Sequence, residues 1–263
     1  MTRAIVASPL LLLALVGGCT GASSDDVGDD IATSDSTATS EGSTAGDSTG
    51  EPAEPPVLPD VDAATFEGDP IDNPYFPLPV GATWVLEAQS DEGLERISIE
   101  VLAETREIQG VTATVVRDTV TLDGEVVEDT WDWYAQDSEG NVWYLGEETC
   151  EFENGMCVSM TGAWEWGVDG ALPGIIMKAN PTVDGERYYS EYYVGEAEDA
   201  AEVIEAGVSV TVSAGTFEDC IVTHETSTLD LMLDERKYYC PGIGNVLVEE
   251  PDLDEELVEY DVP

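Results

Sequence analysis

Apolar and polar residues alternate along most of the chain beyond residue 80, with the two-residue period of a strand that has one buried face. In "ERISIEV" the apolar positions are Ile97, Ile99 and Val101. "VTATVVRDTVTL" continues the alternation and ends at Asp123-Gly124, the strongest short-range signal for a hairpin turn. "EVVEDTWDWYA" puts Trp131 and Trp133 on one face and Asp132 on the other. "QDSEGN" then turns the chain into "VWYLGEE". Further strands are expected in "ERYYSEYYVG", "VSVTVSAGTF", "CIVTHETSTL", "ERKYYC" and "NVLVEE". Only "EAEDAAEVIEAG" also suits a short amphipathic helix; "AEVIEA" fits a strand, and a strand is the reading adopted. Short runs separated by turn residues predict an all-β fold, either a curved antiparallel meander sheet or a β-sandwich. One globular domain is expected over residues 61–263. It opens on a stretch in which Pro70, Pro74, Pro77 and Pro79 exclude helix and favour an extended path.

The first 60 residues follow other rules. Arg3 precedes an apolar run from Ala4 to Val16, the pattern of a secretory signal and too short for a membrane span. The run ends at Val16-Gly17-Gly18-Cys19, which resembles the lipobox of bacterial lipoproteins. That resemblance implies cleavage after residue 18, acylation of Cys19 and anchorage in the cell envelope. Thr20, rather than Asp, beside the cysteine implies the outer membrane. Residues 19–60 are dominated by Ser, Thr, Asp and Gly and lack the apolar surface to fold, so they are expected to form a disordered tether. A flexible chain of that length reaches roughly 35 Å.

Charge narrows the partners. With 57 acidic against 8 basic residues, the net charge is −49. Such a surface repels phosphate backbones, which excludes nucleic acid as a partner. The expected attachment to a membrane is through the lipid on Cys19, and any protein or small-molecule partner is left open.

Of five cysteines, four fall in the domain: Cys150, Cys157, Cys220 and Cys240. An even number in an exported chain reads as disulfides. "CIVTHETSTLDLMLDERKYYC" is a hairpin turning near Asp230, which sets Cys220 opposite Cys240. "CEFENGMC" is a second hairpin, and a four-residue loop from Phe152 to Gly155 would bring Cys150 to Cys157. No C-x-x-C pair points to zinc or redox catalysis.

Catalytic motifs are absent. The one histidine, His224, reads as a packed or rim residue, and neither G-x-S-x-G nor H-E-x-x-H occurs. Carboxylates are too many for a hydrolytic pair to be located. No cofactor is expected, with Ca²⁺ as the one candidate: Asp137, Glu139 and Asn141 alternate around a turn, with Glu148 further on, although the EF-hand spacing is not met. Five tryptophans (131, 133, 143, 164 and 166) and four tyrosines (188, 189, 192 and 193) could also line an apolar pocket.

"NPYFPLPVGATWVLE", "YAQDSEGNVWYLGE", "GAWEWGVDGALPGIIM", "VTVSAGTFEDC" and "YYCPGIGNVLVEE" together resemble exported bacterial lipoproteins of uncharacterised function built from antiparallel strands. The resemblance spans most of residues 70–250. It implies the fold and the address, and no catalytic residue. A non-enzymatic binding or structural role at the envelope is the leading expectation. A carrier of an apolar ligand, a Ca²⁺-dependent surface module and a secreted hydrolase using a carboxylate pair are the alternatives.

Overall fold

The computed structural model describes residues 55–263, apart from residues 69 and 252. The expected signal peptide, Cys19 and nearly all of the expected tether lie outside the described residues. Fifteen strands form one sheet: β1 (Thr83–Gln89), β2 (Leu94–Ile108), β3 (Val111–Leu122), β4 (Glu125–Gln136), β5 (Val142–Glu153), β6 (Met156–Ser159), β7 (Trp164–Glu165), β8 (Leu172–Met177), β9 (Arg187–Tyr189), β10 (Glu191–Tyr192), β11 (Asp199–Val212), β12 (Gly215–Ser227), β13 (Glu235–Cys240), β14 (Gly244–Glu249) and β15 (Asp254–Asp261). Strand neighbours are antiparallel, and β1 pairs with both β2 and the last strand, β15. The all-β expectation holds, and the doubtful segment "AEVIEA" lies within β11.

The sheet curls almost into a barrel. Its two edges are β9 and β10, which are consecutive in the chain. The stretch read from sequence as the single strand "ERYYSEYYVG" divides at Ser190: Arg187–Tyr189 pairs with β11, and Glu191–Tyr192 pairs with β8. One extended segment thus covers both edges and leaves little unpaired backbone. β8 is absent from the strands expected from sequence, and it carries Pro173 and Gly174, two residues poorly suited to a sheet interior. Gly174 is there for space. A Cβ at this position would stand 2.3 Å from the carbonyl carbon and oxygen of Ser190. Gly174→Ala should therefore lower stability by about 2 kcal/mol through overpacking at the closure. An unchanged urea midpoint in that variant would show the closure to be slack.

The interior is filled partly by the proline-punctuated segment. Ile71, Phe76 and Leu78 join Trp84, Ile99, Val101, Val116, Tyr134, Tyr239 and Leu257 in the main core. Phe76 lies 5.3 Å from the Tyr134 ring, and the indole of Trp84 donates to the Ile243 carbonyl at 2.7 Å. A second, smaller core lies on the outer face of β3–β5. There Val115, Trp133, Trp143 and Leu145 are covered by Val61, Ala64 and Phe66. The domain also begins before residue 61: Val57 exchanges backbone hydrogen bonds with Arg187 and Tyr189, so residues 57–60 belong to it rather than to the tether.

Both disulfides form as paired in the sequence reading. Ile221 faces Tyr239, so Cys220 falls opposite Cys240, with Cα atoms 4.2 Å apart. At Cys150–Cys157 the pairing holds but the expected register does not. Asn154-Gly155 makes a two-residue turn, both residues at positive φ, and Phe152 faces Cys157. A bulge beside Glu151 absorbs the mismatch and leaves the two Cα atoms 5.8 Å apart.

Candidate functional site

The strand alternation that builds the core also turns a row of acids inward. On β3, Asp118 shares the inner face with Val116 and Val120. On β4 the inner row is Glu128, Thr130, Asp132 and Tyr134, and on β5 it includes Tyr144, Glu147 and Thr149. Glu225, Glu235 and Lys237 line β12 and β13 in the same way. All these acids are buried, Asp132 fully.

At the centre, Asp132 and Glu147 face each other directly across β4 and β5. The Tyr144 hydroxyl lies between them, 2.6 Å from Asp132 Oδ1 and 2.9 Å from Glu147 Oε2. A phenol has one proton to donate. The second contact therefore uses a proton of one of the carboxyls, and the pair holds one proton between them. Burial first, then the Asp132 charge, pushes Glu147 well above the usual carboxylate range. Burial raises Asp132 to about 8, against the opposing Tyr144 hydrogen bond. Burial and the neighbouring Asp132 raise Asp118 well above its ordinary value. Glu128 rises to about 8, through burial and then Glu151.

The row continues through Glu191, which accepts from the Trp164 indole at 2.8 Å and is hydrogen-bonded to Asp199. It ends at Lys237, a buried cation whose Nζ is 2.5 Å from Glu225 and 3.7 Å from Glu235. Burial works against the Lys237 charge, but Glu225 and Glu235 outweigh it and raise its pKa. Asp118 Oδ1, Asp132 Oδ2 and the Tyr134 hydroxyl have no hydrogen-bond partner among the described residues. Tyr134 stacks on Tyr144 at 4.9 Å, and Trp164 meets Tyr144 edge-on at 5.4 Å. Carboxyls beside aromatic faces can share protons or hold a cation.

The residues singled out from sequence lie elsewhere. Asp137 accepts from the backbone of Glu139 and Asn141, from the Asn141 amide and from the Trp143 indole, at 2.8–3.0 Å. Asn141 Oδ1 accepts from Ala179 N. These contacts organise the β4–β5 turn. Glu139 is exposed, and Glu148 stands further along β5 opposite Trp131. No cluster of three or more His, Cys, Asp or Glu among the described residues is arranged to hold a metal ion. His224 lies at the rim, 2.7 Å from Asp234. The tryptophans and tyrosines do not line one pocket. Trp133 and Trp143 sit in the outer core, Trp164 lies inside, and Tyr189 packs on Tyr192 at 4.7 Å. The cavity between Phe76, Trp84, Tyr134 and Tyr239 measures about 40 Å³.

Sequence reasoning missed the acidic interior because 57 acids hide the few that matter. Their signal is position: Asp118 interrupts the apolar face between Val116 and Val120, where a solvated acid does not belong. Comparison with protein-family models, curated proteins and solved structures gives no match.

Proposed function

We propose that this chain is an exported protein, anchored by lipid on Cys19, whose β domain serves the cell envelope as a non-enzymatic binding module. The supporting observation is how the thiols divide. Four of the five cysteines are joined in Cys150–Cys157 and Cys220–Cys240, as befits an oxidising compartment. That leaves Cys19, in its lipobox-like setting, as the one thiol without a disulfide role. A carrier of a bulky apolar ligand is less well supported: such ligands occupy pockets of roughly 300 Å³ or more, the cavity inside the core measures about 40 Å³, and the larger grooves beside Trp131 and Trp133 (about 380 Å³) and beside Trp143 and Tyr188 (about 320 Å³) are lined by charged side chains as well.

Palmitate labelling in a bacterium that processes lipoproteins tests the anchor. The wild-type chain should take up label, and mass spectrometry should find it beginning at Cys19, while Cys19→Ser should stay unlabelled. An unlabelled wild type, or label retained by the variant, overturns the assignment.

A further inference from the structure

We propose that the groove on the outer face of β2–β5, beside Trp131 and Trp133, binds a neutral saccharide. This rests on reading the domain as a binding module and names its ligand class.

The groove measures about 380 Å³, the size of a small-ligand pocket. Val115 on β3 and the two tryptophans on β4 supply its apolar surface. Glu104, Thr105 and Arg106 on β2 and Glu148 on β5 complete its lining, and these four are exposed, so the groove opens to solvent. Strand register explains the gathering: Trp133 faces Val115, and Trp131 faces Glu148. Both indoles are braced. Arg106 Cζ lies 3.9 Å from the Trp133 ring, and Glu165 holds that guanidinium through Nε and Nη2 at 3.0 and 2.5 Å. Arg117, outside the groove, stands 5.1 Å from the Trp131 ring and is tied to Asp129 at 2.7–2.8 Å. Trp131 itself stays partly exposed. A braced ring loses little freedom when a ligand arrives.

The polar groups select the ligand. Arg106 keeps its Nη1 donors free of Glu165, and the Glu104 and Glu148 carboxylates accept no hydrogen bond among the described residues. Donors and acceptors thus line one groove. A sugar hydroxyl both donates and accepts. An ammonium only donates and would meet Arg106, whereas an anion would meet two carboxylates on a chain of net charge −49. An extended peptide adds to a free sheet edge, but β3 and β4 each have a strand on both sides. A pyranose ring suits both halves of the groove: its C–H face packs on an indole, and its hydroxyls reach the charged side chains.

Calorimetry on the mature exported protein tests this with cellotetraose, tetra-N-acetylchitotetraose and maltotetraose as probes. Tetragalacturonate and tetralysine are the charged comparators, and high ionic strength screens non-specific attraction. At least one neutral tetrasaccharide should bind saturably at one molecule per chain, at least tenfold more tightly than either comparator. Trp131→Ala should weaken it at least tenfold, and Trp131→Phe, which keeps a ring, only several-fold. Glu148→Ala, at an exposed position, should leave the melting temperature unchanged and weaken binding several-fold. Met232→Ala, in the exposed β12–β13 loop, should bind as the wild type does. Absence of saturable binding to all three neutral probes, tighter binding of tetralysine or tetragalacturonate, or undiminished binding in Trp131→Ala overturns the proposal. Such a failure with palmitate labelling intact removes the saccharide and leaves the envelope anchor standing.

Discussion

Replacing Lys237 by methionine should destabilise the domain by about 3–5 kcal/mol at pH 8, the usual loss when one partner of a buried ion pair is removed. The side chain is 2% exposed and is held by Glu225 at 2.5 Å and Glu235 at 3.7 Å, themselves 9% and 2% exposed. Methionine fills nearly the same volume, so the loss is electrostatic and not a cavity effect. Two further measurements separate these causes. The double variant Lys237→Met with Glu225→Gln should recover part of the stability, because it deletes a charge that the single variant strands. At pH 5 the deficit should shrink, because burial, against the pull of Lys237, has raised Glu235 to about 8, and it is then protonated. A Lys237→Met protein with the wild-type urea midpoint at pH 8 would mean that the carboxyls need no cation.

The alternation that reveals the strands in the sequence also hides the site. β2 to β5 are legible because inner and outer faces differ along "ERISIEV" and "VTATVVRDTVTL", and the Asp123-Gly124 turn sits where the dipeptide predicts. The Cys220–Cys240 bridge is legible because a symmetric hairpin fixes its own register. β8 is not legible: Gly174 is required because the Ser190 backbone lies against it, a contact with no local signature. The face of β4 is the instructive case. Trp131 and Trp133 look like core, yet they point to the outer face, where Val61, Ala64 and Phe66 provide only a small cover. Asp132 looks like the solvent side and lies wholly inside. Which face is buried depends on the closure of the sheet, and period-two patterning carries no information about that.

Acidification from pH 8 to pH 5 should raise the melting temperature, the reverse of ordinary acid denaturation. In most proteins carboxyls are stabilised in the ionised form, so acid removes stability. Here burial lifts Glu128, Asp132 and Glu235 to about 8 in the folded state, against the Tyr144 hydrogen bond at Asp132 and the Lys237 charge at Glu235, while unfolded carboxyls titrate near 4. Between those values the unfolded chain binds fewer protons than the folded one. Stability therefore falls as pH rises through about 4 to 8, and is complete only below that window. One such group changes stability by about 1.4 kcal/mol per pH unit, and each kcal/mol moves the melting temperature of a domain this size by about 2–4 °C. A shift on the order of 10 °C between pH 8 and pH 5 is the expected scale, since repulsion between the three groups keeps their effects from simply adding. Asp132→Asn removes one titrating group and should flatten the slope while raising stability at pH 8. A melting temperature that falls from pH 8 to pH 5 would mean that the interior carboxyls are ionised and compensated within the protein.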